Sequence, residues 1–216
     1  CGALAGQWLY SGAEFDILTN AIDALRFCFS PEIRDAYRSQ LGLDDAFTVL
    51  HVGRFDYQKN HNFLLDTFAE ILKREPTAKL LLAGDGSLRP EMERKAASLP
   101  EGSVRFLGVR KDIPQLLQAA DVFAFPSHFE GLPVTMIEAQ AAGLPCVMSD
   151  RVTGECVVTN LVTSLPIDDP KRWAEEILAK KDTPRTDRLA DIQRSGYDIT
   201  AAAEELTRFY LNGEIL

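Results

Sequence analysis

The chain has 216 residues, 46% hydrophobic and 25% charged, with a net charge of -9. That composition excludes a mostly disordered chain, a collagen and a disulfide-dense mini-protein, and the length suffices for one large domain with a substantial core. The acidic balance opposes binding to nucleic acid or to an anionic membrane face, so any anionic ligand must rest on a few local cations and backbone amides.

The opening CGALAGQWLY carries no basic leader and no initiator Met, so the sequence is expected to be part of a longer or processed protein. It reads as the end of a helix, and EFDILTN as a short strand. SPEIRDAYRSQLGL predicts a helix with Ser30 as N-cap and Pro31 in its first position. From Thr48 short apolar runs alternate with amphipathic stretches. The runs are FTVLHV (47–52), AKLLLAG (78–84), VRFLG (104–108), DVFAFP (121–126) and LPCVMSD (144–150). Short, nearly continuous and bounded by turn residues, they predict buried strands of a parallel sheet. Between them, NFLLDTFAEILKRE sets Leu64, Phe68, Ile71 and Leu72 on one helical stripe, and helices are predicted over 89–98, 112–119 and 134–142. The polar stretch 181–197 reads as loop, and a last helix spans about 200–211. This alternation predicts an α/β fold: a Rossmann-like open parallel sheet with helices on both faces. No apolar run is long enough for a membrane-spanning helix. Cys1, Cys28, Cys146 and Cys156 form no CxxC pair, and Cys146 reads as a buried reduced thiol, so a reducing, cytoplasmic setting is expected.

Ligands of such sheets bind beyond the carboxyl ends of the strands, in the strand-to-helix loops. In GRFDYQKN (53–60), Gly53 ends a strand, and Arg54 and Lys59 stand before a helix. A planar fork of donors, a mobile point charge and helix-terminal amides would clamp a phosphate; the alternative is two solvated cations. In AGDGS (83–87), Gly84 permits either a tight turn or close approach of a ligand. In LGVRKDIP (107–114), Gly108 and Val109 could offer backbone groups to a base, and Arg110 a contact to a phosphate or ring. The alternative is a plain helix start, with Asp112 as N-cap and Pro114 just inside.

PSHFEGLPVTMIEAQAAGLP (126–145) holds Glu130 and Glu138, separated by seven residues. Pro133 fits the first helical turn, where its missing N–H is not needed. The amides of Gly131, Leu132, Val134 and Thr135 would then converge as a nest for a diphosphate. Carboxylates beside such a nest would repel phosphate, so sugar and ribose hydroxyls are their natural partners. Both could instead be solvated, but Glu138 lies in the apolar MIEAQAAG, where a buried acid needs a partner. His51 reads as a satisfied core residue, His61 as part of a first helical turn and His128 as a neighbour of Glu130. The three show no metal-ligand spacing. There is no DxD pair, no GxSxG and no P-loop.

HVGRFDYQKN, LLLAGDG, VRFLGVRKDI and AADVFAFPSHFEGLPVTMIEAQAAGLPCVMSD, in that order, resemble the C-terminal domain of GT-B glycosyltransferases. Within these the likeness is to glycosyltransferase family 4, of bacterial capsular and exopolysaccharide type, and it covers about residues 1–180. The resemblance implies the nucleotide-sugar donor half of a two-domain, retaining, metal-independent hexosyltransferase that needs no cofactor. Arg54 and Lys59 match the family's diphosphate-binding pair, Glu130 its contact to the donor sugar and Glu138 its contact to the ribose. Amides around Gly131 and Leu132 would hold the distal phosphate or sugar, with the base near Gly108 to Arg110. A UDP-sugar is the favoured donor and a GDP-sugar the other candidate; an acceptor sugar or lipid-linked glycan would complete the reaction. Residues 1–30 would be a remnant of the N-terminal domain and the interdomain linker, with NAID where NGID is common. Residues 31–199 would bind the nucleotide sugar, and 200–216 would form a helix packing toward the other domain. By itself the chain would catalyse little; the full enzyme would be cytoplasmic, at most peripheral to the inner membrane face.

Two other functions compete. A GT-B-like nucleotide-sugar epimerase would turn over its substrate without an acceptor. A non-catalytic α/β module would need other chemistry: a receiver needs clustered acids at strand ends, and a nicotinamide domain needs GxGxxG, which GRFDYQ does not supply.

Overall fold

The computed structural model describes residues 20–43 and 45–212. The expected helix end and short strand at the start of the chain fall outside them, Asn20 excepted. Six strands form one parallel sheet: β1 (Thr48–Val52), β2 (Lys79–Ala83), β3 (Val104–Gly108), β4 (Val122–Phe125), β5 (Cys146–Ser149) and β6 (Val162–Leu165), in the order β3-β2-β1-β4-β5-β6. The α/β class and the five strands read from apolar runs are therefore present.

Residues alternate between the two faces, as the pleat requires. Leu50, Leu81, Phe123, Phe125 and Met148 face one helical layer, while Val49, Leu80, Leu82, Val122 and Val147 face the other. Helices α1 (Pro31–Gln40), α4 (Ile113–Ala119), α5 (Val134–Ala141) and α7 (Leu189–Arg194) cover the first face. Helices α2 (His61–Leu72), α3 (Arg89–Ala96) and α6 (Pro170–Ala179) cover the second, and α8 (Ile199–Asn212) follows. Each fully buried Leu or Phe in these layers contributes about 1.5–3 kcal/mol over its exposed state.

Local chemistry starts the helices where the sequence marks them. Ser30 Oγ accepts from the Ile33 amide at 3.2 Å, with Pro31 next in line. Along α1, Arg34 Nη1 donates to the carbonyls of Gln118 (3.0 Å) and Ala120 (2.7 Å), and Arg38 Nη1 to that of Ala119 (2.8 Å). Two cations thus satisfy the carboxyl end of α4, where the helix dipole favours positive charge.

Four readings need correction. Pro133 occupies the N-cap, and α5 begins at Val134, because the extended ψ of 95° at Pro133 lies outside the helix. Asp112 occupies the N-cap of α4, but its carboxylate is drawn to Arg110 and caps no amide. The stretch 181–197 contains α7, whose Ile192 is fully buried. Strand β6 and helix α6 were not foreseen, although Asp169 Oδ1 accepting from the Lys171 amide at 2.9 Å and Pro170 form an ordinary helix start.

The sheet changes direction between β1 and β4. Consecutive strands run outward through β2 and β3, then restart on the other side of β1. Such a switch point opens a crevice at the carboxyl ends of its two strands. The β1–β4 register pairs are Val49 with Val122 and Leu50 with Phe123, whereas β1–β2 continues through Val52 and Ala83. Beyond Leu50 a side chain bridges the gap: His51 Nδ1–H donates to the Ala124 carbonyl at 2.8 Å.

Candidate functional site

The loops at this edge are laced together by main-chain bonds. The Gly53 amide donates to the Ala83 carbonyl, Phe55 to Asp85 and Leu88 to Phe55, each at 3.0 Å, and Gly84 to Gly108 at 2.8 Å. The His128 amide donates to the Gln58 carbonyl at 2.8 Å, fastening the β4–α5 loop to the β1–α2 loop. The glycines allow this layering. A β-carbon on Gly84, whose φ is +141°, would stand 2.0 Å from the Gly53 carbonyl oxygen, and one on Gly86 2.4 Å from that of Phe55. The β2 loop thus presses its glycines against the main chain of the β1 loop. Gly108, with φ of +68°, meets only the end of Arg89, and Val109 beside it is exposed.

Two charged groups foreseen from sequence meet directly. Lys59 Nζ donates to Glu130 Oε1 at 2.7 Å, and Gln58 Nε2 donates to Glu130 Oε2 at 2.9 Å. The Glu130 side chain is 8% exposed and that of Lys59 16%. Partial burial removes water from both, and the pairing offsets that cost only because each oxygen has a donor. Lys59 Nζ also lies 4.7 Å from the Phe125 ring centroid, over its electron-rich face. Gln58 was not foreseen; its place beside Lys59 in the same loop was the available signal. Arg54 sits exposed at the start of this loop with no ion pair among the described residues.

Gly131 is exposed, and a β-carbon there would meet nothing within 4 Å, so the approach to the amino end of α5 is open. The amides of Val134 and Thr135 stand in its first turn, where the helix lacks internal acceptors. Glu138 lies on the following turn, half-buried, with no hydrogen-bond partner among the described residues. Burial raises its pKa above the ordinary carboxylate value, and the positive charge of Arg26 partly opposes this. No hydrogen bond or ion pair joins it to Lys59 or Glu130. On the β3 loop, Arg110 Nε donates to Asp112 Oδ1 at 2.8 Å, and its Nη2 to the Tyr37 hydroxyl at 3.3 Å, so that guanidinium is held against the protein.

Under the Lys59 loop lies an aromatic stack. The His61 ring is 4.0 Å from that of Phe55 and 4.7 Å edge-on from His51. His51 was expected to be satisfied, but only its Nδ1 is; its Nε2 and both nitrogens of His61 are buried without partners among the described residues. Burial first, and neighbouring positive charge second, lower both pKa values, His61 to about 4 and His51 well below its ordinary value. Both rings are therefore neutral at pH 7. His128 stacks on the exposed Tyr57 ring at 4.4 Å, on the rim beside Glu130. No described helix is long and apolar enough to cross a membrane.

The family described as glycosyl transferases group 1 matches residues 46–180. The chain is 36% identical over 222 residues to EpsF of Bacillus subtilis (strain 168), provisionally named a glycosyltransferase, covering 97% of this chain and 58% of that protein. It is 32% identical over 152 residues to the UDP-Gal:alpha-D-GlcNAc-diphosphoundecaprenol alpha-1,3-galactosyltransferase of Escherichia coli, covering 68% and 39% respectively. The chain thus spans about half the length of these curated relatives. Among solved structures, Anabaena HepE in complex with UDP-glucose superposes with a TM-score of 0.74 at 25% identity, covering 95% of this chain and 62% of that one. The C-terminal domain of the glycosyl transferase group 1 family protein LpcC from Francisella tularensis superposes with a TM-score of 0.63 at 15% identity, covering 88% and 98%.

Proposed function

The chain belongs to the glycosyl transferases group 1 family and has the GT-B type of Rossmann-like domain, and from this we propose that it forms the donor-binding, C-terminal half of a retaining, metal-independent hexosyltransferase. The family 4 assignment, of capsular or exopolysaccharide type, belongs to the same proposal. Residues 31–199 bind the nucleotide sugar, 1–30 lead in from an N-terminal domain, and 200–216 pack back toward it. The carrying observation is the meeting of Lys59 and Glu130 at the sheet's switch point, beside the open amino end of α5.

In this reading Arg54 and Lys59 take the diphosphate, and the amides of Gly131, Leu132, Val134 and Thr135 face its distal phosphate or the sugar. These groups stabilise the charge that grows on the leaving diphosphate as the bond to the anomeric carbon breaks. Glu130 accepts from donor-sugar hydroxyls. Glu138, half-buried and without a hydrogen-bond partner among the described residues, accepts from the ribose, which answers the cost of its burial. The base lies along Gly108 to Arg110, with Gly53 and Gly84 shaping the floor. A UDP-sugar is the favoured donor, as the names of the E. coli relative and the HepE complex suggest, with a GDP-sugar as the other candidate. A lipid-linked glycan is the acceptor class, as the E. coli relative's name also suggests. The complete enzyme works in the cytoplasm at the membrane's inner face, and this chain alone transfers little sugar.

Calorimetric titration with UDP, GDP and ADP tests the proposal. One diphosphate is expected to bind with about 4–6 kcal/mol, roughly millimolar to tens of micromolar. Lys59→Met and Glu138→Ala should each weaken it about tenfold or more, consistent with loss of a charge-assisted contact. Equal affinity in the wild type and in Lys59→Met would refute the site.

A further inference from the structure

Glu130 is held from two sides by groups of unlike character. Lys59, on Oε1, is a cation that a phosphate can claim; Gln58, on Oε2, is neutral and a phosphate gains little from it. A diphosphate drawn to Lys59 is brought against the Glu130 carboxylate, and two anions at one ammonium repel each other. Relief comes if Oε1 gives up the ammonium and accepts from an uncharged donor while Oε2 stays held. Gln58 is fixed for that holding, because its main-chain carbonyl accepts from the His128 amide at 2.8 Å, two residues before Glu130. The side chain and the main chain of Gln58 therefore grip the same loop. Lys59 is confined differently: its Cγ and Cδ lie 3.1 Å from the space a Gly53 β-carbon would fill, so its stem is packed, and Glu130 Oε1 is the carboxylate oxygen its ammonium meets.

We propose that Gln58 is a positioning residue that keeps Glu130 oriented through Oε2 while the donor diphosphate takes Lys59 from Oε1, leaving Oε1 to accept from a donor-sugar hydroxyl. The Lys59–Glu130 pair is then a resting state that the ligand exchanges rather than joins. This rests on the donor-site reading above. A nucleoside diphosphate without sugar breaks the pair and returns nothing to Glu130; a nucleotide sugar replaces the lost contact with a hydroxyl. The preference for nucleotide sugar over bare diphosphate therefore depends on Gln58.

The test is calorimetry with UDP, GDP, UDP-glucose, UDP-galactose and GDP-mannose on the chain and its variants. Glu130→Gln is expected to bind the bare diphosphate about threefold to tenfold more tightly than wild type, since Lys59 is no longer engaged by a charge. Glu155→Gln removes a nearby charge that does not pair with Lys59, as both Glu130 and Glu155 act on Cys156; it should change that affinity less than twofold. Gln58→Leu should leave the bare diphosphate within about twofold of wild type but lower the preference for nucleotide sugar by about threefold or more. A merely structural defect would weaken both ligands together. Unchanged or weaker diphosphate binding in Glu130→Gln, an intact sugar preference in Gln58→Leu, or no sugar preference in the wild type overturns the proposal. If Lys59→Met binds diphosphate as well as wild type does, the donor-site reading itself fails, which is a separate result.

Discussion

Gly84 and Gly53 touch through their main chains, leaving no room on Gly84 for even a single carbon. A methyl group there would stand 2.0 Å from the Gly53 carbonyl oxygen, at a φ of +141° that L-residues rarely adopt. Gly84→Ala should therefore cost about 3–5 kcal/mol or prevent folding. Gly131→Ala, which points into open space, should stay within about 0.5 kcal/mol of wild type. Urea denaturation of the two variants checks both values.

Glu138 should make the protein less stable as pH rises. Its folded pKa is raised, so the folded state holds that proton more firmly than the unfolded chain does. Stability is lost as pH climbs through the interval between the ordinary carboxylate value of 4.5 and the raised one, and stays low above it. Glu138→Gln is expected to be more stable than wild type at pH 7, with no advantage below pH 4, while binding donor less well. Denaturation midpoints at pH 4 and pH 7, paired with diphosphate titration, decide this. A variant less stable than wild type at pH 7 would contradict the burial argument.

The two buried histidines act in the opposite direction. Their folded pKa values lie below the ordinary 6.5, so the unfolded chain binds the protons more readily. Their contribution is complete above pH 6.5 and is lost as pH falls, for His61 until about pH 4. Each group steepens the loss by up to about 1.4 kcal/mol per pH unit, and His61 alone accounts for about 3 kcal/mol over its interval. His61→Phe keeps a ring to stack on Phe55 and should flatten the stability profile between pH 6.5 and 4. An unchanged slope would mean that His61 titrates normally.

Arg185 is expected to matter far more than its place in a polar stretch suggests. Its guanidinium donates to the carbonyls of Leu117 (3.1 Å), Gln118 (3.2 Å), Ala120 (2.9 Å) and Ala142 (3.1 Å), and it lies 4.6 Å from the Phe29 ring centroid. Burial, and then the nearby Arg34, lower its pKa to about 9, so it remains charged at pH 7. Arg185→Met leaves the carboxyl ends of α4 and α5 short of donors and should cost about 2–4 kcal/mol. Arg194→Met removes an exposed pair with Asp191 and should cost no more than about 1 kcal/mol. Thermal melts of both variants give the comparison.

Arg185 also shows where reading the sequence stops. The strands β1, β2, β4 and β5 are legible because they are buried almost throughout and so read as nearly continuous apolar runs, while β3, partly buried at one edge, is legible from the apolar residues of VRFLG around Arg105. β6 sits at the sheet's edge with Ser164 exposed, and VTSL carries no such signal. Charged residues such as Arg185 suggest solvent until the carbonyls they satisfy are known, and those lie 43 to 68 residues away in the chain. Near the site, the types of Lys59 and Glu130 were visible and their contact was not, because it depends on β1 lying beside β4. The half-satisfied state of His51 was hidden for the same reason: its partner carbonyl belongs to Ala124. For Gly84 the sequence allowed a turn or a ligand; the neighbouring Gly53 carbonyl shows what the missing side chain makes room for.

The pairing of β1 with β4 joins segments more than 70 residues apart, and the crevice exists only along that seam. β1, α2 and β2 can assemble from near neighbours, whereas docking β4 requires closing a long loop first, which slows that step. A growing chain therefore displays Arg54 and Lys59 to solvent well before Glu130 has been synthesised. During that interval Asp56 is the acid closest to these two cations in the loop, and Lys59 gains the Glu130 carboxylate only when the second half of the sheet arrives.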